Sequence, residues 1–119
     1  MSSASQLQPV LDRIDGDFDN SLQRLFALLR IKSISADPAF AGDCKAAADH
    51  LARDIATRGF ATEVRPTAGH PAIVATANGG KDGRPPVLVY GDCAVPPVAQ
   101  RNPRPPTPFG PSPIKPTPG

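Results

Sequence analysis

The chain has 119 residues, a net charge of +2 and 39% hydrophobic residues, enough for one small domain and too little for two cores. The charge is too small to argue for nucleic acid, and the cations beyond residue 98 (Arg101, Arg104 and Lys115) are separated by prolines and form no patch. No apolar run approaches the ~20 residues of a membrane span. Met1 to Gln8 is rich in Ser and Gln and lacks an apolar signal core, so the expectation is a cytoplasmic protein with neither a nucleic-acid nor a membrane partner.

Residues 1–7 carry no periodicity and are expected to be disordered. From about Gln8 to Arg30, Leu11, Ile14, Phe18, Leu22, Leu25 and Leu29 recur at three- and four-residue spacing and predict one apolar stripe on a helix. Acidic Asp12, Asp15, Asp17 and Asp19 sit in its first half, where the helix dipole favours negative charge. Gly16 weakens its middle by about 1 kcal/mol relative to Ala and marks a point of kinking or breakage. Ile31 to Ala41 reads as a loop in which Pro38 pushes Asp37 out of the helical region. A second helix follows, with Asp43 as its expected N-cap, Cys44, Ala48, Leu51 and Ile55 as its buried stripe, and Gly59 as its stop.

Three strands are expected after that: Phe60 to Arg65, Ala72 to Ala77 after the turn Ala68-Gly69-His70-Pro71, and Val87 to Tyr90 after a Gly- and Pro-rich turn. The last is apolar at every position, which suits a strand covered by helices on both faces. Ten of the sixteen prolines lie between Pro96 and Pro118, a stretch with Phe109 as its lone aromatic and no acidic residue. Such a segment cannot bury enough apolar surface to offset its ordering entropy, so 99–119 is expected to be a disordered Pro-rich tail. Cys44 and Cys93 have neither zinc-finger nor redox spacing; Cys44 reads as a small core residue and Cys93 as an incidental thiol. His50, with no second ligand at i+4, reads as a boundary residue, and His70 as part of the turn before a strand.

In an open α/β sheet, ligands bind beyond the carboxyl ends of the strands, which points to the residues after Tyr90: Gly91-Asp92-Cys93-Ala94-Val95-Pro96-Pro97-Val98. This segment resembles the G-H-x-D-V-x-P-V motif of the zinc-dependent metallopeptidases that include aminoacylase, acetylornithine deacetylase, succinyl-diaminopimelate desuccinylase, glutamate carboxypeptidases and cytosolic dipeptidases. Leu25 to Ser35 is similar to the first helix of that family running into its P-S-I-S-type loop. Cys44 to Phe60 is similar to the second helix with its Gly-Phe end, and Gly69 to Val74 resembles the G-x-P-x-V approach to a strand. Pro108-Phe109-Gly110-Pro111 is similar to a P-F-E-P segment that follows the metal motif. The likeness is best to the dipeptidase branch and spans about residues 8–98.

That resemblance implies an α/β fold, the incomplete amino-terminal part of a helix-covered mixed sheet with two helices and then about three strands, followed by the tail. It implies zinc as the family cofactor and amide hydrolysis of a dipeptide or N-acyl amino acid as the reaction of a full-length protein. Two positions depart from the motif: Asp92 stands where the family has a metal-binding His, and Ala94 replaces the Asp that supports that ligand. The family's Glu-Glu pair has no counterpart, since Glu63 is the single glutamate. No catalytic set is complete, no residue is assigned to an organic cofactor, and the chain is expected to be inactive alone and to hold no zinc tightly. Self-association through an open sheet edge is expected of such a fragment. The alternative is a non-enzymatic interaction protein in which the tail, with P-x-x-P spacing at Pro103 to Pro106, is a polyproline ligand.

Overall fold

A computed structural model of the chain describes residues 3–77, 83, 85–98 and 108–113. The fold is α/β, with three helices, a short 3-10 turn and a two-stranded antiparallel sheet. The first predicted helix is two: α1, Ser3–Gly16, and α2, Phe18–Leu29, with the break at Gly16 and Asp17 where the sequence weakens. The helix α1 begins at Ser3, before the apolar periodicity does, and runs through Pro9. Asp17 caps the second segment through its backbone conformation, while its carboxylate accepts a hydrogen bond from Asn20 Nδ2 at 3.1 Å, which holds its pKa below the usual value.

The buried residue of α2 is Phe26, which lies beside the predicted stripe; Leu25 and Leu29 of that stripe are exposed, and Leu22 is half-buried. Asp37 is extended, as the following proline dictates, and its carboxylate caps the 3-10 turn Pro38–Phe40 by accepting from Ala39 N at 2.9 Å. Helix α3 runs over Ala41–Ala56. Its N-cap is Phe40, not Asp43, which falls in the first turn, because the 3-10 turn feeds directly into the helix. Cys44, Ala47 and Ala48 are its buried residues, and Leu51 and Ile55 are half-buried. Gly59 has φ +86°, a left-handed conformation costly for any residue with a Cβ, and donates its N–H to Ala56 O to close the helix.

The strands β1, Phe60–Arg65, and β2, Ala72–Ala77, fall where the sequence places them. They pair antiparallel with Phe60 opposite Ala77 and Arg65 opposite Ala72. Thr62, Val64 and Ile73 are the half-buried positions and share one face of the hairpin, against which α3 packs. Phe26, Ile34, Cys44, Ala47 and Ala48 make up the buried apolar set among the described residues.

Val87 to Tyr90 is not a strand of this sheet. Its four side chains are 87, 93, 85 and 89% exposed, and no ladder pairs it among the described residues. The mixed character of the sheet is confined to one isolated parallel bridge, Ile34 with Val95. An apolar run makes a strand only when a neighbouring backbone accepts from its N–H groups and donates to its C=O groups, and the described bridge pairs Val95, downstream of the run, instead. Of the tail, residues 108–113 are described: Pro108 and Phe109 form a turn, and Phe109 is half-buried. The disorder expected for 99–107 and 114–119, like that expected for residues 1 and 2, lies outside the described residues. No described helix is long and apolar enough to cross a membrane.

Candidate functional site

The loop between α2 and α3 organises the region around the predicted motif. Ser33 N donates to Ile31 O at 2.8 Å and Ile34 N to Lys32 O at 2.7 Å, so the chain turns tightly after α2 and presents both residues inward. Ser33 and Ile34 are buried, at 4 and 5% exposure. A buried hydroxyl needs a partner, and Ser33 Oγ donates to Cys93 O at 2.9 Å. Val95 N donates to Ser33 O at 3.0 Å, which completes the parallel bridge. The same loop meets the third sequence motif, because His70 Nε2 lies 2.8 Å from Ser35 O, where an Nε2–H tautomer donates. Thr67 holds that turn in shape: its hydroxyl donates to His70 O at 2.6 Å and accepts from Gly69 N at 3.0 Å.

Asp92 is exposed and accepts from Ala94 N at 3.1 Å, a local turn that satisfies one carboxylate oxygen with backbone two residues on. Ala94 is exposed, Cys93 is half-buried with a free thiol, and the sequence's two histidines stand apart from this turn, His50 half-buried on α3 and His70 on the Ser35 carbonyl. Among the described residues no group of three or more His, Cys, Asp or Glu side chains converges. Zinc requires about four convergent nitrogen, sulfur or oxygen ligands, with a hydrogen-bond acceptor behind each ligating imidazole. One exposed carboxylate beside a methyl group does not fit that requirement.

An open groove of about 300 Å³ is lined by Leu29, Val95 and Val98 together with Pro108, Phe109 and Pro111. The Lys32 ammonium lies 5.7 Å from the centroid of the Phe109 ring, within cation–π range. A second groove lies between α2 and α3, bordered by Leu25, Leu28, His50 and Leu51. It is clamped by Arg24, which donates to both oxygens of Asp54 at 3.0 and 2.7 Å. The guanidinium holds the Asp54 carboxyl below the usual Asp range. Burial pushes the Cys44 thiol up, as expected of a core thiol without a catalytic role. Ser33 stood in the sequence as part of a loop motif without a role. The signal that could have singled it out is a small hydroxyl between two β-branched isoleucines, Ile31 and Ile34, in a loop flanked by charged Lys32 and Asp37.

Comparison with protein-family models, with curated proteins and with solved structures returns no match.

Proposed function

We propose that this chain is a metallopeptidase-like scaffold, akin to the amino-terminal part of zinc-dependent dipeptidases and related amidohydrolases, that carries no metal chemistry by itself. The observation supporting this reading is the convergence of three sequence pieces that resemble that family. The Ile31 to Ser35 loop is the hub: Ser33 and Ile34 hold Cys93 and Val95 of the motif after Tyr90, and Ser35 accepts from His70 of the turn before β2. The contacts that join the loop to the other two pieces span 35 and 60 residues of sequence, and the pieces have no need to meet unless a common scaffold places them.

Where a family member's site would use an imidazole backed by a carboxylate, this chain offers Asp92 turned onto its own backbone and Ala94 with no acceptor. The described part of the tail packs toward Lys32 of the same chain through Phe109, an arrangement that favours the scaffold reading over a tail held out as a polyproline ligand. The test is calorimetric titration of the full chain with zinc, paired with an assay for hydrolysis of a dipeptide and an N-acyl amino acid. The expected result is no tight zinc site and no turnover. A submicromolar zinc site that Asp92→Ala abolishes overturns the proposal, as does hydrolysis that a chelator stops.

A further inference from the structure

Among the described residues, the chain holds an apolar run that no ladder pairs and a two-stranded sheet whose outer edges no described strand covers. The donor is Val87 to Tyr90, uncharged, 85 to 93% exposed and delimited by Pro85 and Pro86 before it and Gly91 after it. Proline cannot donate to a ladder, so the run is bounded to four residues. The acceptor is the outer edge of β2. A sheet of two strands has two open edges, and they differ in chemistry. The strand β1 carries Glu63 and Arg65, joined by an ion pair at 3.0 Å, and α3 lies more over β1 than over β2. Such charges blunt an edge. Residues Ala72 to Ala77 carry no charge and no proline, and five of the six are exposed. An uncharged, proline-free, β-branched edge is the kind that pairs with another chain.

In the single copy the two do not meet. Downstream of the run, Cys93 and Val95 are held on Ser33 and Ile34 of the α2–α3 loop, and no described ladder joins the run to β2. We propose that two copies of this chain associate by exchanging Val87 to Tyr90, each run adding as a third strand along the free edge of β2 in the other copy. The occupant is a second copy because donor and acceptor are both present on one chain and are unpaired among the described residues. Reciprocal exchange uses each of them once and closes with two-fold symmetry, leaving none over for further growth. Addition of a third strand also corrects a weakness, since a lone two-stranded hairpin is marginal in water. In the added strand Val87 and Val89 face one side of the sheet and Leu88 and Tyr90 the other, so one pair extends the apolar face under α3. The proposal is independent of the metallopeptidase-like reading, and zinc binding bears on that reading alone.

The test is size-exclusion chromatography with light scattering on the full chain over a dilution series, with far-ultraviolet circular dichroism to confirm unchanged helix content. The wild type is expected at twice the 12.4 kDa of one chain. Val89→Pro, which removes a ladder donor from a residue that is 85% exposed in the single copy, is expected to run as a monomer with the same helix content. Ile14→Glu, on the exposed apolar face of α1, is expected to remain a dimer. A wild type that is monomeric throughout overturns the proposal, and so does a dimer that survives Val89→Pro or dissolves in Ile14→Glu. Should Val89→Pro lose helix content, Leu88→Lys is the second variant, with the same expected monomer. Amide exchange supplies the independent readout: alternate N–H groups of β2 are expected to be protected in the wild type and to lose that protection in the variant. Protection that is equal in both overturns strand addition as the mode of contact.

Discussion

The helices α1 and α3 invert what their compositions suggest. The first carries Leu7, Val10, Leu11 and Ile14, large apolar side chains, and all four are between 42 and 55% exposed. The third buries Ala47 and Ala48, the smallest side chains with a Cβ, at 0 and 2%. The difference is what each helix lies against. Helix α3 covers a sheet face, and alanines allow its backbone to approach that face closely, so every buried atom touches another. Among the described residues helix α1 packs mainly against α2, and it has Pro9 within it, which removes one intrahelical hydrogen bond. Hydrophobic side chains specify what a helix can bury, and a neighbouring surface specifies what it does bury.

The comparison is tested most severely at α2, which links the two helices. Phe26→Ala deletes the one large buried aromatic of the described core and is expected to cost about 3–5 kcal/mol. That loss is a large share of a small domain's whole stability and should abolish the cooperative thermal transition. Retention of a sharp melt would place the core elsewhere. Ala47→Leu in α3 adds volume where no space remains and is expected to destabilise by about 1–3 kcal/mol, read by urea unfolding. Ser33→Ala deletes the buried hydrogen bond to Cys93 O, with an expected cost of about 1 kcal/mol. Its sharper readout is limited proteolysis, because the segment from Gly91 to Val98 then loses one of its two hydrogen bonds to Ser33, and faster cleavage there is expected with helix content unchanged.

Leu11→Ala in α1 is expected to change stability by no more than about 0.5 kcal/mol, as for exposed positions generally. Amide exchange in α1 should be far faster than in α3, since an isolated helix of this length is marginal. A cost near that of Ala47→Leu would mean that α1 is packed, and the contrast between the helices would collapse. The smallest effect is electrostatic. Arg24 lowers the Asp54 pKa, so the folded state favours the carboxylate, and the contribution of this pair is whole above the ordinary Asp value of 3.8 and lost as pH falls through the lowered one. With side chains 42 and 29% exposed the pair is screened and weak. The difference in Tm between wild type and Asp54→Asn is therefore expected to be small at neutral pH, smaller in high salt, and absent in strong acid. A difference that grows in acid would reverse the assigned direction.

Local sequence was sufficient for much of this fold. The breaks at Gly16, Asp37 and Gly59, the extent of both hairpin strands, and the helical character of 8–30 and 43–56 follow from periods and from residues with restricted or unusual backbone freedom. These properties act over a few residues and need no partner. The predicted stripe of the first helix and the strand at Val87 to Tyr90 depended on partners. Phe26 rather than Leu25 is buried because of where α2 meets the rest of the molecule, and Val87 to Tyr90 stays exposed because no described strand pairs it, the parallel bridge falling downstream at Val95. The candidate site divides in the same way. That Asp92 and Ala94 cannot supply an imidazole and its supporting carboxylate is a matter of side-chain chemistry, readable from the residues themselves. That Ser33 would hold Cys93, and Ser35 would face His70, required contacts across 60 and 35 residues of sequence. Closure of such long separations is decided by the packing of whole elements, which no local pattern encodes.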